Sequence, residues 1–370
     1  MENRSVLIGL HGITGVGWKT IDLLVRSCSD LKDLLLWSAG EYARLGLPAA
    51  RIQRLIDELT PFKIEASLEK YESLGIGILT RFDPGYPRLL EETAQPPWVL
   101  YCRGRQEVLQ RPALAVVGTR TPTAYGRKAA RELSLALSAA GFVVVSGLAR
   151  GIDAEAHHGA KDGAGGTVAV LGVPPDRIYP PEHTRLHEEI IACGGIVVSE
   201  YPLGTVPHPG LFPMRNRVIA GVSLGVIVVE AAERSGSLIT ADLALEESRD
   251  VFAVPGPIHS PKSRGALSLI KQGAKMVTDP RDVYEEYMHL MSSLSGQLGV
   301  SAQQASMPSL ERQLTEDEAI LYRLLSSVPV PIDVLLEQTQ FTFGHLHSVL
   351  ISLLLKKVIA ELPGSSYVSI

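Results

Sequence analysis

A chain of 370 residues and 39.9 kDa exceeds one average domain, so two or three domains are expected. With 45% apolar and 20% charged residues it suits a soluble globular protein, and charges interrupt every apolar run before the ~18 residues a membrane span needs. The net charge of −5 argues, taken alone, against a nucleic-acid partner.

Residues 1–10 carry one basic residue, Arg4, and no long apolar segment, so no secretory signal is expected. Cys28, Cys102 and Cys193 lie far apart and form no C-x-x-C pair. That spacing points to reduced thiols in a cytoplasmic protein and away from a zinc cluster.

Residues 1–78 read as a small helical domain. Apolar residues recur at helical spacing through Ile21-Asp22-Leu23-Leu24, residues 31–37 and residues 52–59. Gly12-Ile13-Thr14-Gly15-Val16-Gly17, ahead of a helix at Lys19, resembles a helix-hairpin-helix turn. Such a turn can offer backbone N–H groups to a phosphate; a domain used only for packing is the other reading. Gly17-Trp18-Lys19-Thr20 mimics the end of a P-loop without the G-x-x-x-x-G-K spacing, so nucleotide hydrolysis is not expected.

Residues 79–288 alternate strand, glycine turn and helix. The strand candidates are Leu114-Ala115-Val116-Val117, Phe142-Val143-Val144-Val145, Thr167-Val168-Ala169-Val170-Leu171, Ile196-Val197-Val198, Val226-Ile227-Val228-Val229 and Val251-Phe252-Ala253-Val254. Near-continuous apolar runs fit strands buried on both faces of a parallel sheet. Helical patterns fill the gaps, as in residues 129–140 closed by Gly141. The alternation predicts an α/β, Rossmann-like, doubly wound, mostly parallel sheet. Residues 289–310, rich in Ser, Gln and Gly, read as a linker. Residues 311–370 read as three helices and a hairpin around Pro363-Gly364, the order of a winged helix.

Each strand runs into a polar or glycine turn: Gly118-Thr119-Arg120, Ser146-Gly147-Leu148-Ala149-Arg150-Gly151, Gly172-Val173-Pro174-Pro175, Ser199-Glu200, Ser235-Gly236-Ser237 beyond Glu230, and Pro255-Gly256. In a parallel sheet these turns share the carboxyl edge, where open α/β folds bind ligands. Helix N-termini there add free N–H donors, and Arg120 and Arg150 add charge. Residues 111–150 hold six basic residues (Arg111, Arg120, Arg127, Lys128, Arg131, Arg150) against Glu132, a local net of +5, compatible with a phosphate-binding face. In Phe212-Pro213-Met214-Arg215-Asn216-Arg217, the arginine forks suit phosphates, Asn216 suits a base edge and Phe212 could stack on an unpaired base. Arg215 and Arg217 could instead only bridge helices to the sheet.

These motifs, with Asp83-Pro84-Gly85-Tyr86-Pro87 upstream and Phe252-Ala253-Val254-Pro255-Gly256 downstream, closely resemble the DprA (Smf) family of DNA-processing proteins. The resemblance implies a protein that binds and protects incoming single-stranded DNA in natural transformation and loads the recombinase RecA. It implies no catalysis and no cofactor, a SAM-like N-terminal domain, and a homodimer through the Rossmann domain near Leu267, Leu269, Ile270 and Met276. Thr119 stands where serine is usual, and Val173-Pro174-Pro175 replaces a more glycine-rich turn. Pro257 and Leu267 occupy positions often polar, and Pro181 replaces a DNA-contacting lysine of some relatives, for which Arg177 or Arg185 are nearby substitutes.

Three rivals remain. A nucleotide-processing Rossmann enzyme, of the nucleoside monophosphate hydrolase kind, would use Glu230 and Glu200 as acids at one pocket. A dinucleotide-dependent oxidoreductase lacks its G-x-G-x-x-G turn and ribose-binding acid here. Metal binding could draw on His183 with His187, His157-His158, or His345 with His347, though ordinary surface histidines are the expectation. In the C-terminal region, residues 309–370 carry four basic and seven acidic residues, net −3, so this domain is expected not to hold the DNA.

Overall fold

Six apolar runs become six neighbouring strands of one nine-stranded sheet in the computed structural model, which describes residues 1–288, 315–325, 330–339, 341–356, 359–362 and 366–369. They are β3 (Ala113–Val117), β4 (Val143–Ser146), β5 (Thr167–Leu171), β6 (Ile196–Ser199), β7 (Gly225–Val228) and β8 (Asp250–Ala253). With β1 (Gly77–Thr80), β2 (Val99–Gly104) and β9 (Lys275–Met276), the sheet order is β1-β2-β6-β5-β4-β3-β7-β8-β9, parallel from β6 to β9. The chain lays down β3 to β6 outward in one direction, then returns to place β7 on the other side of β3. That reversal leaves a crevice between the carboxyl ends of β3 and β7.

The alternation along each strand sorts its residues between two helical layers. Ala113, Ala115 and Val117 share a core with Val218 and Ile219 of α10 (Leu211–Gly221), Ala241 of α11 (Gly236–Glu246) and Leu269 of α12 (Arg264–Lys271). Leu114 and Val116 instead meet Leu133 and Leu137 of α7 (Ala124–Ala139) and Ile152 and Ala156 of α8 (Ile152–Ala160). Both faces are thereby covered, as a parallel sheet requires.

Two further strands extend the sheet beyond β6. β1 (Gly77–Thr80) pairs antiparallel with β2 (Val99–Gly104), which pairs antiparallel with β6. The N-terminal helices, α1 (Asn3–Gly12) to α5 (Pro61–Ser73), bury Leu7, Ile21, Leu24, Ile52, Leu55 and Ile64 against Trp98, Val99 and Tyr101 around β2. The boundary expected after residue 78 falls inside β1, and Met1–Met291 forms one compact unit.

Ser292–Ile370 forms the second unit. Helices Glu316–Leu324, Ile332–Thr339 and Phe343–Leu355 accompany a three-stranded antiparallel sheet ordered β10 (Val330–Pro331), β12 (Ser366–Ser369), β11 (Ile359–Leu362). Leu321, Leu335, Leu346, Leu350 and Leu353 form its core. Glu318 is buried there. Burial pushes its carboxyl up, but hydrogen bonds from Lys356, Ser352 and the Thr315 N–H outweigh burial and hold it at about 2. The expected linker and the Pro363-Gly364 turn lie outside the described residues.

Candidate nucleic-acid interface

The crevice at the β3–β7 switch is a cleft of ≈340 Å³. Its walls are Gly118, Thr119 and Arg120 after β3, Ala149 and Asp153 after β4, Phe212, Arg215 and Asn216 of α10, and Arg234, Ser235, Gly236 and Ser237 around the start of α11. Three arginines against one aspartate make it cationic. The N-terminus of α11 adds its positive dipole end, with Ser235 Oγ accepting from the Ser237 N–H at 3.4 Å.

Arg120 is held in place by its loop and not by a counter-ion. Thr119 N–H donates to the Glu230 carbonyl at 2.7 Å, and Thr119 O accepts from Ile152 N–H at 3.2 Å. The Glu230 carboxylate, 2% exposed, accepts from Thr123 N–H at 2.9 Å and Thr123 Oγ1 at 2.6 Å. The loop from β3 into α7 is thus clamped to the end of β7, with the exposed Arg120 guanidinium 5.9 Å from the Phe212 ring. Gly151, at φ +81°, crosses beneath Thr119 where a Cβ would strike the Thr119 carbonyl; only glycine is comfortable in both respects. Among the described residues no carboxylate pairs with Arg120 or Arg234.

The remaining expected site residues separate by burial. Arg215 is 5% exposed and lies under the cleft floor, donating to the Gly147 carbonyl at 2.7 Å and to the Val170 carbonyl. A Cβ on Gly147 would meet its guanidinium at 2.5 Å, so the glycine there makes room for an arginine. Burial lowers the pKa of Arg215, opposed by Asp153. Burial raises Asp153, opposed by Arg215 and by N–H donors from Ala149 and Gly147. Ser146 Oγ is spent inside the sheet, donating to the Val116 carbonyl at 2.7 Å. Arg217 faces away from the cleft, donating to Glu200 and, at 2.5 Å, to the Gln95 carbonyl. Arg150 lies at the neighbouring mouth, ion-paired with Glu182. Asn216 Nδ2 reaches the Gly236 carbonyl at 3.3 Å, tying α10 to α11 across the cleft. Arg234 escaped the sequence reading; its only signal was its place between the end of β7 and Ser235.

Neither Glu230 nor Glu200 lines the cleft, so the two acids of the nucleotide-enzyme reading do not meet there. His157 and His187 are not surface residues, as expected, but 0% and 1% exposed. His157 accepts the Leu148 N–H at Nε2 and shares its Nδ1 proton with Thr167 Oγ1 at 2.7 Å. Among the described residues no three metal-ligating side chains converge.

Known proteins resemble this chain in sequence and fold. The DNA recombination-mediator protein A family matches residues 77–288, and the DprA winged helix domain matches residues 303–365. The chain belongs to the DprA (Smf) family. Protein Smf of Synechocystis sp. is 37% identical over 346 residues, covering 85% of this chain and 86% of that one. The X-ray structure of DprA from Streptococcus pneumoniae superposes with a TM-score of 0.67 at 34% identity, over 77% of this chain and 99% of that one. DprA from Helicobacter pylori, whose structure concerns its single-stranded DNA binding mode, matches with a TM-score of 0.52 at 29% identity, over 58% of this chain and 96% of that one. The DprA winged helix match also agrees with the helices and three-stranded sheet of the described residues in the second unit.

Proposed function

We propose that this DprA-family protein binds single-stranded DNA in the cleft at the β3–β7 switch, shields it, and hands it to RecA during natural transformation and recombination, as a cytoplasmic homodimer that catalyses no reaction. The observation that carries the reading is the cleft itself: a strand-end crevice with Arg120 and Arg234 exposed and without acidic partners among the described residues. Phosphates supply such charges, and open α/β sheets bind ligands at this place. The H. pylori relative, described by its single-stranded DNA binding mode, supports the choice of polymer. The commitment of Glu230 to Thr123 and of Glu200 to Arg217 supports a binding role over hydrolysis. Of the helix residues that line the cleft only Arg215 is basic, and it is buried, which supports a single-strand site over readout of a duplex groove.

A titration of the full chain with single-stranded and duplex DNA of equal length tests the reading. Preference for the single strand, falling steeply with salt, is expected. Equal affinity for duplex at physiological salt overturns it, and release of a free base from nucleotides restores the enzymatic alternative.

A further inference from the structure

Beside the phosphate cleft, the turn after β5 brings up an aromatic residue that the motifs did not include. Tyr179 is 43% exposed, and its ring centre lies 5.1 Å from that of Phe212 at 44°. Phe212 cannot retreat, because its ring rests on Gly172, where a Cβ would come within 2.6 Å. The Arg120 guanidinium stands 5.9 Å from the centre of the Phe212 ring. Arg120, Arg150, Tyr179 and Phe212 all border one small recess. The recess is far too small to admit a base, so a base can only lie on the outer aromatic surface. Pro174, Pro175, Pro180 and Pro181 stiffen the turn that presents Tyr179, which lowers the entropy lost on holding a ligand there.

Resting on the function proposed above, we propose that Tyr179 is a base-stacking residue of the single-strand site. Phe212 supports it from behind, and Arg120 holds the adjoining phosphate. A stacked base has to be unpaired, so the same ledge favours single strands over duplex. Every base has a π-face, so stacking here adds affinity without sequence preference. Duplex DNA buries its faces in the helix and gains only the arginine contacts.

The test compares an oligothymidylate with an abasic oligomer of the same length, by fluorescence anisotropy on the full-length protein at fixed salt. Tyr179→Ala should weaken oligothymidylate binding about 5- to 150-fold. It should leave the abasic oligomer within about twofold and leave the salt slope unchanged, because no phosphate contact is lost. Tyr179→Phe should bind both like the parent chain. Equal losses on both oligomers would make Tyr179 a support for the loop and overturn the proposal, as would Tyr179→Ala with no loss on either. Failure of Tyr179→Phe to restore oligothymidylate binding would assign the effect to the hydroxyl and likewise overturn it. A parent chain that holds neither oligomer removes the proposed function, and this inference with it.

Discussion

Arg120 and Arg217 sit in similar motifs but in different electrostatic settings, and that difference decides what each can do. Arg120 is exposed and lacks a carboxylate partner among the described residues, so it is free to take a phosphate. Arg120→Ala should cost at least about tenfold in single-strand affinity and flatten the salt slope by about 0.7. Its melting temperature should stay near the parent's, and a chain that unfolds instead would make Arg120 structural. Arg217 already answers Glu200, whose carboxyl is raised by burial against the pull of that same guanidinium. Arg217→Ala should therefore lower the melting temperature while leaving DNA affinity nearly intact; the reverse pattern would place it in the interface. His157 makes a third prediction. Burial depresses its pKa to about 3 from an ordinary 6.5, so between those values the unfolded chain takes up a proton that the folded one refuses. Stability is complete above pH 6.5 and declines as pH falls toward 3, by up to about 1.4 kcal/mol per pH unit. Denaturation midpoints at pH 7 and pH 5 should differ more for the parent than for His157→Gln, and equal differences would refute the assignment.

Among elements, β9 (Lys275–Met276) is one edge strand of the sheet, and α12 precedes it in the chain. Leu269 faces the core at 6% exposed, while Leu267 is half-buried and Met276 is 50% exposed on the edge strand. If subunits meet here, Leu267→Arg or Met276→Arg should give monomers by light scattering, and an unaltered dimer would put the interface elsewhere. This face also shows how much of the architecture the residues announced. β3 to β8 were legible because a strand covered on both faces is apolar at every position, as in Val143-Val144-Val145. β1 and β2 were not: Val99-Leu100-Tyr101-Cys102 is as apolar, but it follows Pro96-Pro97 and pairs with β6, nearly a hundred residues away. Within the site, the turns after β3 and around α11 were read at their true positions, since glycine and helix caps are local signals. The burial of Arg215 was not, because what accommodates it is the missing side chain of Gly147 on another strand end.

At the scale of the molecule, the residues named as the cleft's walls all belong to the unit Met1–Met291. The helix Phe343–Leu355 of the winged-helix unit buries Leu346, Val349, Leu350 and Leu353, and the lysine at its end, Lys356, is bound to Glu318. A chain truncated after Met291 should keep most single-strand affinity; loss of binding by a truncated chain that is still folded would reassign the interface. A cut near Asp282 would remove part of the core. Tyr287 is buried against Phe142 and Phe252 and reaches Asp250 at 2.5 Å, so the stretch after Asp282 belongs to the core.

The antiparallel joint between β2 and β6 has a bearing on how the protein comes off the ribosome. The N-terminal helices bury their apolar faces against Trp98, Val99 and Tyr101, and β2 pairs along one edge with β1 while its other edge has its hydrogen-bonding partner in residues 196–199. During synthesis, the first hundred residues therefore emerge with an unpaired strand edge. It stays unpaired until β6 has been translated and the intervening βα units have begun to collapse. Such an edge is a sticky one while it waits. The polypeptide starts its life dependent on a segment not yet made, and its earliest vulnerability to aggregation lies at the end of the molecule farthest along the sheet from the free edge strand β9.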